Sequence, residues 1–322
     1  MSICIIFGGS GFIGTHLARH FIDSKIFSKI YLADIKTSLL ENNEKIISFI
    51  IDVRQDITSQ DLISIQPDWI FNFAAIHREP GHDNKEYYET NINGAYNVCE
   101  YARKVNCKNI YFTSSISVYG SSETPINENY PCLANTAYGI SKYSSELIHR
   151  LWQKNSADRK LIIVRPGVIY GPNDPGNILR MIKAIKKGYF AYPGSGNIHK
   201  SYGYIYGLIE SIDFLLKNET NYLCYNYVEY PTERLSDLVK HIKKFVNSNS
   251  IVVSIPIFLL LFISKILQIL LGKKNPVHPV RVKKAGTSTH IIPQVLLDFN
   301  FNFKYNFYNS LKHWYEINKK DF

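Results

Sequence analysis

The stretch Ser2-Ile-Cys-Ile-Ile-Phe-Gly-Gly-Ser-Gly-Phe-Ile-Gly14 decides the fold. Ile3 to Phe7 is a short apolar, β-branched run, the mark of a parallel strand buried on both faces. Glycines at 8, 9, 11 and 14 follow it, and Phe12, Ile13, Leu17, Ala18 and Phe21 then recur at helical spacing. Strand, glycine turn and helix in that order form a dinucleotide-binding fingerprint. One glycine makes the tight turn, one lets the backbone approach a pyrophosphate, and one lets the helix sit close on the sheet. The pyrophosphate then rests on the helix N-terminus, where free N–H groups and the dipole favour negative charge. Gly8, Gly11, Phe12, Ile13 and Gly14 are the candidate contacts. A second strand, Ile30-Tyr-Leu-Ala, ends at Asp34, twenty residues beyond Gly14. A carboxylate there accepts hydrogen bonds from ribose hydroxyls and repels a 2′-phosphate, which predicts NAD rather than NADP.

The same alternation continues outward. Lys45 to Ile51 is a third strand ending at Asp52-Val53, a pair placed to border the adenine. Asp61 to Ile65 reads as a short helix and Asp68 to Phe73 as a fourth strand, opening on Ala74-Ala75, small enough for a cofactor to pass close. Glu86 to Val105 reads as one long helix. Asn109 to Thr113 is a fifth strand ending in Ser114-Ser115, followed by a helix from about 137 to 153 and a sixth strand, Leu161 to Arg165. Strands and helices alternating at this spacing predict an α/β fold, a Rossmann-type doubly wound parallel sheet. Beyond Pro172 a Gly/Pro-rich loop leads to a helix at 177–187, a hairpin-like segment at 189–203, a helix at 205–217 and a strand at 222–227. Residues 1–172 are thus expected to form the NAD-binding domain. Residues 173–322 are expected to form a smaller, mixed α/β substrate-binding cap interleaved with the sheet's last strand.

Ile255 to Leu271 is the most apolar part of the chain, interrupted by Ser264, Lys265 and Gln268. A spanning helix needs about 20 apolar residues, so this one does not span. The three polar residues are read onto one helical face. The favoured placement is a helix packed in the cap. The alternative is a helix in the membrane interface with Lys265, Lys273 and Lys274 toward headgroups.

The chain carries 37 Lys+Arg against 27 Asp+Glu, a net charge of +10. The lysine pairs are spread through the second half without a base-reading module, which argues against nucleic acid. An anionic substrate or an anionic membrane surface fits the charge, as does a merely solvated basic surface. Five scattered cysteines form no CxxC pair and no metal-ligand spacing, which reads as reduced thiols in the cytosol. Met1 leads straight into the first strand, leaving no room for a signal peptide. His16 and His20 lie four apart, as metal ligands might be spaced, but with no nearby carboxylate cluster no metal is expected.

The chemistry concentrates in Ser115, Tyr138 and Lys142. Tyr138-Gly-Ile-Ser-Lys142 places a phenol and an ammonium on one helix face. A neighbouring cation favours phenolate, predicting a tyrosine pKa lowered toward working pH and a phenol able to exchange a proton with a substrate hydroxyl. Ser115, at the carboxyl end of the fifth strand, is placed to bond the same oxygen. His77, Arg78 and Glu79, just after the fourth strand, lie at the site-facing end, and His77 is a candidate for the sugar pocket.

With these residues in hand, the chain resembles an extended short-chain dehydrogenase/reductase of the NAD-dependent sugar epimerase/dehydratase family. The matching pieces are the glycine motif, Ala74-Ala75, Tyr87-Tyr-Glu-Thr-Asn91, Phe112 to Gly120, Tyr138 to Lys142, and Arg165-Pro-Gly-Val-Ile-Tyr-Gly-Pro172. The resemblance implies that Asn91 and Val168 touch the cofactor, that Ser115 and Tyr138 hold the sugar's reacting oxygen, and that Lys142 binds the nicotinamide ribose. It also implies that Asn177 binds the substrate's diphosphate. The cap departs from the usual pattern with Lys200-Ser where an arginine is common, which keeps the charge but loses the bidentate fork. Gly176 through Lys200, the apolar helix and Val280-Arg-Val-Lys-Lys284 resemble a smaller branch of bacterial 4-epimerases, acting on N-acetylglucosamine linked by diphosphate to undecaprenol. In that branch Arg281 is a candidate phosphate contact, with surface charge the alternative.

Three functions follow as expectations. One is an NAD-dependent C4 epimerase of a diphosphate-linked sugar in surface-polysaccharide (O-antigen or capsule) synthesis. The second is a 4-keto-6-deoxy nucleotide-sugar reductase, which uses the same Ser/Tyr/Lys but consumes NADH. The third is a non-catalytic NAD-binding protein. The expected partners are a diphosphate-linked sugar, a second copy as homodimer, and a membrane touched peripherally.

Overall fold

The computed structural model describes residues 2–40, 43–57, 60–122, 124–174, 176–272 and 277–322. Lys273 and Lys274, read as headgroup-facing, lie outside these. A seven-stranded sheet runs through the molecule in the order β10-β6-β5-β4-β1-β2-β3, every neighbouring pair parallel. Its strands are β1 (Ile3–Phe7), β2 (Lys29–Asp34), β3 (Ile46–Ile50), β4 (Trp69–Asn72), β5 (Asn109–Thr113), β6 (Lys160–Pro166) and β10 (Tyr222–Tyr227). The helices of the first half are α1 (Phe12–Ser24), α2 (Gln60–Ile63), α3 (Asn84–Tyr87), α4 (Gly94–Lys104) and α5 (Ala137–Lys154). Two cores result. Cys4, Ile6 and Phe71 join Leu17 and Phe21 of α1 on one face of the sheet, while Ile5, Phe7 and Ile70 join Val98 and Ala102 of α4 on the other. Burial on both faces is why these strands are continuous Ile/Val/Phe runs without polar alternation. Strand order reverses between β1 and β4, so the crevice beyond their carboxyl ends is where such a sheet takes its ligand.

The helix expected over Glu86 to Val105 is three pieces. α3 and α4 flank a π-helical segment, Tyr88–Asn93, whose wider turn carries Asn91. Such a bulge accommodates a residue that the regular 3.6-residue repeat would misplace.

Just before residue 172 lies β7 (Val168–Tyr170), and beyond it come α6 (Asn177–Lys186), β8 (Tyr189–Pro193), β9 (Tyr202–Tyr204), α7 (Ile205–Leu216), α8 (Leu235–Phe245), β11 (Ile251–Ile255), α9 (Ile257–Leu271), α10 (Pro279–Gly286), α11 (Gln294–Asp298) and α12 (Phe307–Ile317). β10 joins the main sheet beside β6, so the sheet is completed by a strand from within the later segment. The hairpin expected at 189–203 is not formed. β8 pairs in parallel with β11 and β9 in parallel with β7, because the loop between β8 and β9 separates two strands that each find a more distant partner.

The placement favoured for the apolar helix is also overturned. In α9 only Ser264 is buried, while Phe258 (72%), Phe262 (63%), Ile269 (84%) and Leu270 (72%) stand in solvent. Ser264 turns inward and Lys265 outward, so the polar residues do not share one face. α9 rests on α10, where Gly286 leaves room for Ile257: a Cβ there would fall 2.3 Å from Ile257 Cδ1. Among the described residues no helix is long and apolar enough to cross a membrane.

Candidate active site

The glycine turn is built as its spacing demands. Gly8 has φ +77°, and a Cβ on it would lie 2.7 Å from the Ala74 backbone nitrogen. At Gly14 a Cβ would come within 2.4 Å of the Gly8 carbonyl oxygen, so helix and turn touch only because the side chain is missing. Gly11 differs: a Cβ there would meet Gly8 O at 3.1 Å and otherwise face open space. It also begins α1 without any side-chain cap, leaving the first N–H groups of Phe12 and Ile13 for an anion. The Ser10 N–H donates to the Asp34 carboxylate at 3.0 Å, and Lys36 N–H donates to its other oxygen at 3.2 Å, fixing that carboxylate at the edge of the turn. These residues fit a dinucleotide.

Asp52 is held by Arg54, whose Nε and Nη2 reach it at 2.9 and 2.6 Å, and this guanidinium keeps its pKa low. Val53 is buried against Gly94, where a Cβ would meet Val53 Cγ2 at 2.8 Å. Val168 is exposed at the start of β7. Asn91 is engaged on both sides of its amide. Its Oδ1 accepts from Ile76 N–H (2.8 Å), and its Nδ2 donates to Ile76 O (3.1 Å) and to Ser141 Oγ (2.8 Å). It therefore bolts the loop carrying Ala75, Ile76 and His77 to α5, a bracing role that the motif alone did not reveal.

Ser115 and Tyr138 meet through a hydrogen bond, and Lys142 lies one turn on along α5. Ser115 lies two residues beyond β5, and its Oγ accepts from Ser117 N–H at 3.1 Å, starting the short 3-10 helix Ile116–Tyr119. Thr136 caps α5 by accepting from Gly139 N–H (3.1 Å), and Gly139 packs so close that a Cβ would lie 2.5 Å from Ser117 O. This contact sets the first turn of α5, and with it Tyr138, against the serine segment. The expected lowering of the phenol pKa is reversed. Loss of water around the ring raises Tyr138 to about 12, against the opposing pull of its Ser115 hydrogen bond. Lys142 is buried, its ammonium 4.4 Å from the centre of the Phe112 ring, and burial lowers its pKa to about 7 against the pull of Glu146. Loss of water around the phenol outweighs the hydrogen bond that favours phenolate, which is why the reversal occurs.

Sequence reasoning missed the floor beneath these residues. Glu146, one turn past Lys142, takes both ends of Arg165 (Nε 2.9 Å, Nη2 2.7 Å) and the hydroxyl of Ser114 (2.5 Å). Arg165 also donates to Tyr119 Oη at 3.0 Å. The available signal was Glu146 at i+4 from Lys142, together with an arginine inside an otherwise apolar strand. His149 stacks on Phe112 at 4.1 Å, with burial pulling its pKa to about 4, so it is neutral.

The substrate candidates separate. His77 stands on the loop after β4, its pKa lowered by loss of water and by the charges of Arg78 and Lys142. Asn177 opens α6, exposed, with its Oδ1 accepting from Arg180 at 2.6 Å. Lys200 is placed otherwise than expected: its ammonium donates to the carbonyls of Lys284 (2.9 Å) and Thr287 (2.6 Å), closing the C-terminal end of α10. Arg281 is exposed on that helix. His16 bonds Pro172 O at 3.0 Å and His20 pairs with Asp213, so each imidazole has a partner other than a metal. All five cysteines are free thiols.

Comparison with known proteins fits this geometry to a family. The model of the NAD dependent epimerase/dehydratase family matches residues 4–226. The chain belongs to that family. It is accordingly an NAD-dependent enzyme of the sugar epimerase type. A curated relative from Escherichia coli O157:H7, N-acetyl-alpha-D-glucosaminyl-diphospho-ditrans,octacis-undecaprenol 4-epimerase, is 34% identical over 295 residues, 88% of this chain and 86% of the relative. Among solved structures, UDP-glucuronic acid 4-epimerase from Bacillus cereus in complex with NAD superposes with a TM-score of 0.76 at 18% identity, over 98% of this chain and 97% of that one. A dTDP-glucose 4,6-dehydratase from Bacillus anthracis superposes at 0.77 and 20% identity, over 99% and 98%. At such identities these two likenesses speak for the fold alone.

Proposed function

We propose that this enzyme inverts C4 of a sugar carried on a diphosphate, that the carrier is a polyprenyl lipid, and that the product serves surface-polysaccharide synthesis. The observation that carries the reading is the E. coli relative, alike over nearly the whole chain including the cap, joined to a complete Ser115/Tyr138/Lys142 set. Gly8, Gly11, Gly14 and Asp34 would hold NAD, which when bound supplies acceptance and return of the C4 hydrogen with its electron pair. Tyr138 takes the C4 hydroxyl proton as the carbonyl forms, and Ser115 bonds the same oxygen. The 4-keto sugar turns over in the pocket, and Tyr138 returns the proton to the alkoxide as the opposite face is reduced. Lys142 orients the nicotinamide ribose. Its charge, when present, eases loss of the phenolic proton.

The lipid carrier is supported by α9. A lipid-linked substrate lies in a bilayer, and α9 offers an exposed face of Phe258, Phe262, Ile266, Ile269 and Leu270 with Lys265 at its side and Arg281 and Lys283 exposed on the adjoining α10. An apolar face bordered by cations suits the interface of an anionic membrane. Such docking would keep the enzyme at the cytoplasmic face. A homodimer is supported by a second surface: α5 exposes Ile140, Leu147 and Leu151, beside Tyr96 of α4. The test of the carrier is to assay the purified enzyme in anionic vesicles with undecaprenyl-diphosphate-linked N-acetylglucosamine and, separately, with the uridine-diphosphate sugar. The lipid-linked sugar should turn over faster. Ready turnover of the nucleotide sugar alone would overturn the lipid carrier.

A further inference from the structure

The loop leaving β4 and helix α10 are far apart in sequence, yet one ion pair joins them: the Lys284 ammonium meets the Glu79 carboxylate. Glu79 is largely enclosed, its side chain 16% exposed, whereas that of Lys284 is 46% exposed. The charge of Glu79 reaches the catalytic centre, where it acts to raise the pKa values of Tyr138 and Tyr87. Two more cations gather nearby. Arg78 precedes Glu79, and Arg180 stands one turn past Asn177 on α6. Both act on Asp174, whose carboxyl burial raises to about 6. Lys200, by holding the Lys284 and Thr287 carbonyls, fixes the backbone from which Lys284 reaches out.

Three elements thus bring cations toward one mouth beside the catalytic tyrosine, and the one on α10 is occupied by an internal carboxylate. We infer that Lys284 is a contact for the substrate's diphosphate and that Glu79 is its internal stand-in, holding the ammonium until the diphosphate displaces it. The inference rests on the diphosphate-sugar reading above. An ammonium is a point charge that accepts any close anion, and a diphosphate brings more charge and more acceptor oxygens than one carboxylate. The exchange gives selectivity. A ligand without the diphosphate leaves the Glu79–Lys284 pair closed, and its sugar meets a narrowed mouth.

The two partners therefore have opposite roles, which sets this apart from a simple strut between loop and helix. Inorganic pyrophosphate, titrated calorimetrically into the purified full-length protein, reads the site without requiring turnover. Glu79→Gln frees Lys284, and pyrophosphate should bind about fivefold tighter, the scale of one half-exposed ion pair. Lys284→Gln should weaken binding by a similar factor, and the double variant should match Lys284→Gln. Thermal melts identify folded variants, and Lys284→Arg, which keeps the charge, should retain binding. Changes of the same sign in Glu79→Gln and Lys284→Gln, or unchanged binding in Lys284→Gln, would overturn the inference. Opposite shifts in pyrophosphate binding support it even if diphosphate sugars prove not to be turned over, so its failure and that of the substrate reading are read separately.

Discussion

The backbone N–H of Ser10 donates to the Asp34 carboxylate at 3.0 Å, tying the glycine turn to the end of the second strand. One carboxylate thus does two things. It braces the turn, and it presents negative charge where a 2′-phosphate would lie. Asp34→Asn removes the charge and the acceptor for Lys36 N–H while its amide oxygen still accepts from Ser10. The wild type should bind NAD far better than NADP, and Asp34→Asn should narrow that gap with its melting temperature little changed. Fluorescence titration with both reduced cofactors measures this. Equal affinity of the wild type for both would refute the assignment.

Tyr138→Phe deletes the proton carrier and leaves the ring in place. Turnover should fall by about 100-fold or more while NAD still binds, because general acid–base transfer contributes on that scale. Lys142→Met should instead impair both NAD binding and turnover. Near-normal turnover in Tyr138→Phe would place the chemistry elsewhere.

Burial raises Glu229 to about 8, although Tyr170 and Ser310 donate to it at 2.5 and 2.6 Å. A carboxyl whose folded pKa lies above its unfolded value near ~4.3 binds its proton more tightly when folded. Its stabilising contribution is complete below the unfolded value and is lost as pH rises to the folded one. Urea denaturation from pH 5 to 8 should show stability falling, by up to ~1.4 kcal/mol per pH unit from this group. Glu229→Gln should flatten the slope, and an unchanged slope would exclude Glu229 as its source.

Replacing Phe258 and Phe262 with Ser should reduce sedimentation with anionic liposomes and leave NAD binding and melting temperature intact, because both side chains already stand in solvent. Unfolding of this variant would mean that α9 is core. Equal sedimentation of variant and wild type would remove α9 from membrane docking.

The glycine turn, the end of the second strand at Asp34 and the parallel sheet were legible because each is written in local sequence: hydrophobic period and glycine spacing. What escaped depends on distant segments. Nothing local says that β8 pairs with β11, that Asn91 is spent on Ile76, or that Lys200 closes α10, since each partner lies 15 to 87 residues away. The sign of the Tyr138 shift was misread for a related reason. Spacing places a cation four residues from the phenol, but only the fold shows that burial of the phenol itself sets the direction. α9 was misread because apolar composition alone does not say whether the rest of the chain covers a helix.

The central claim is an epimerisation in which the redox change cancels. The most direct measurement incubates the purified enzyme with a diphosphate-linked N-acetylhexosamine and no added NADH, following the two C4 epimers by NMR and the cofactor by absorbance at 340 nm. The account predicts that either epimer alone is converted to the same equilibrium mixture, over many turnovers, with no net change in NADH. Turnover only of a 4-keto sugar, with NADH consumed mole for mole, would contradict it and make the enzyme a reductase.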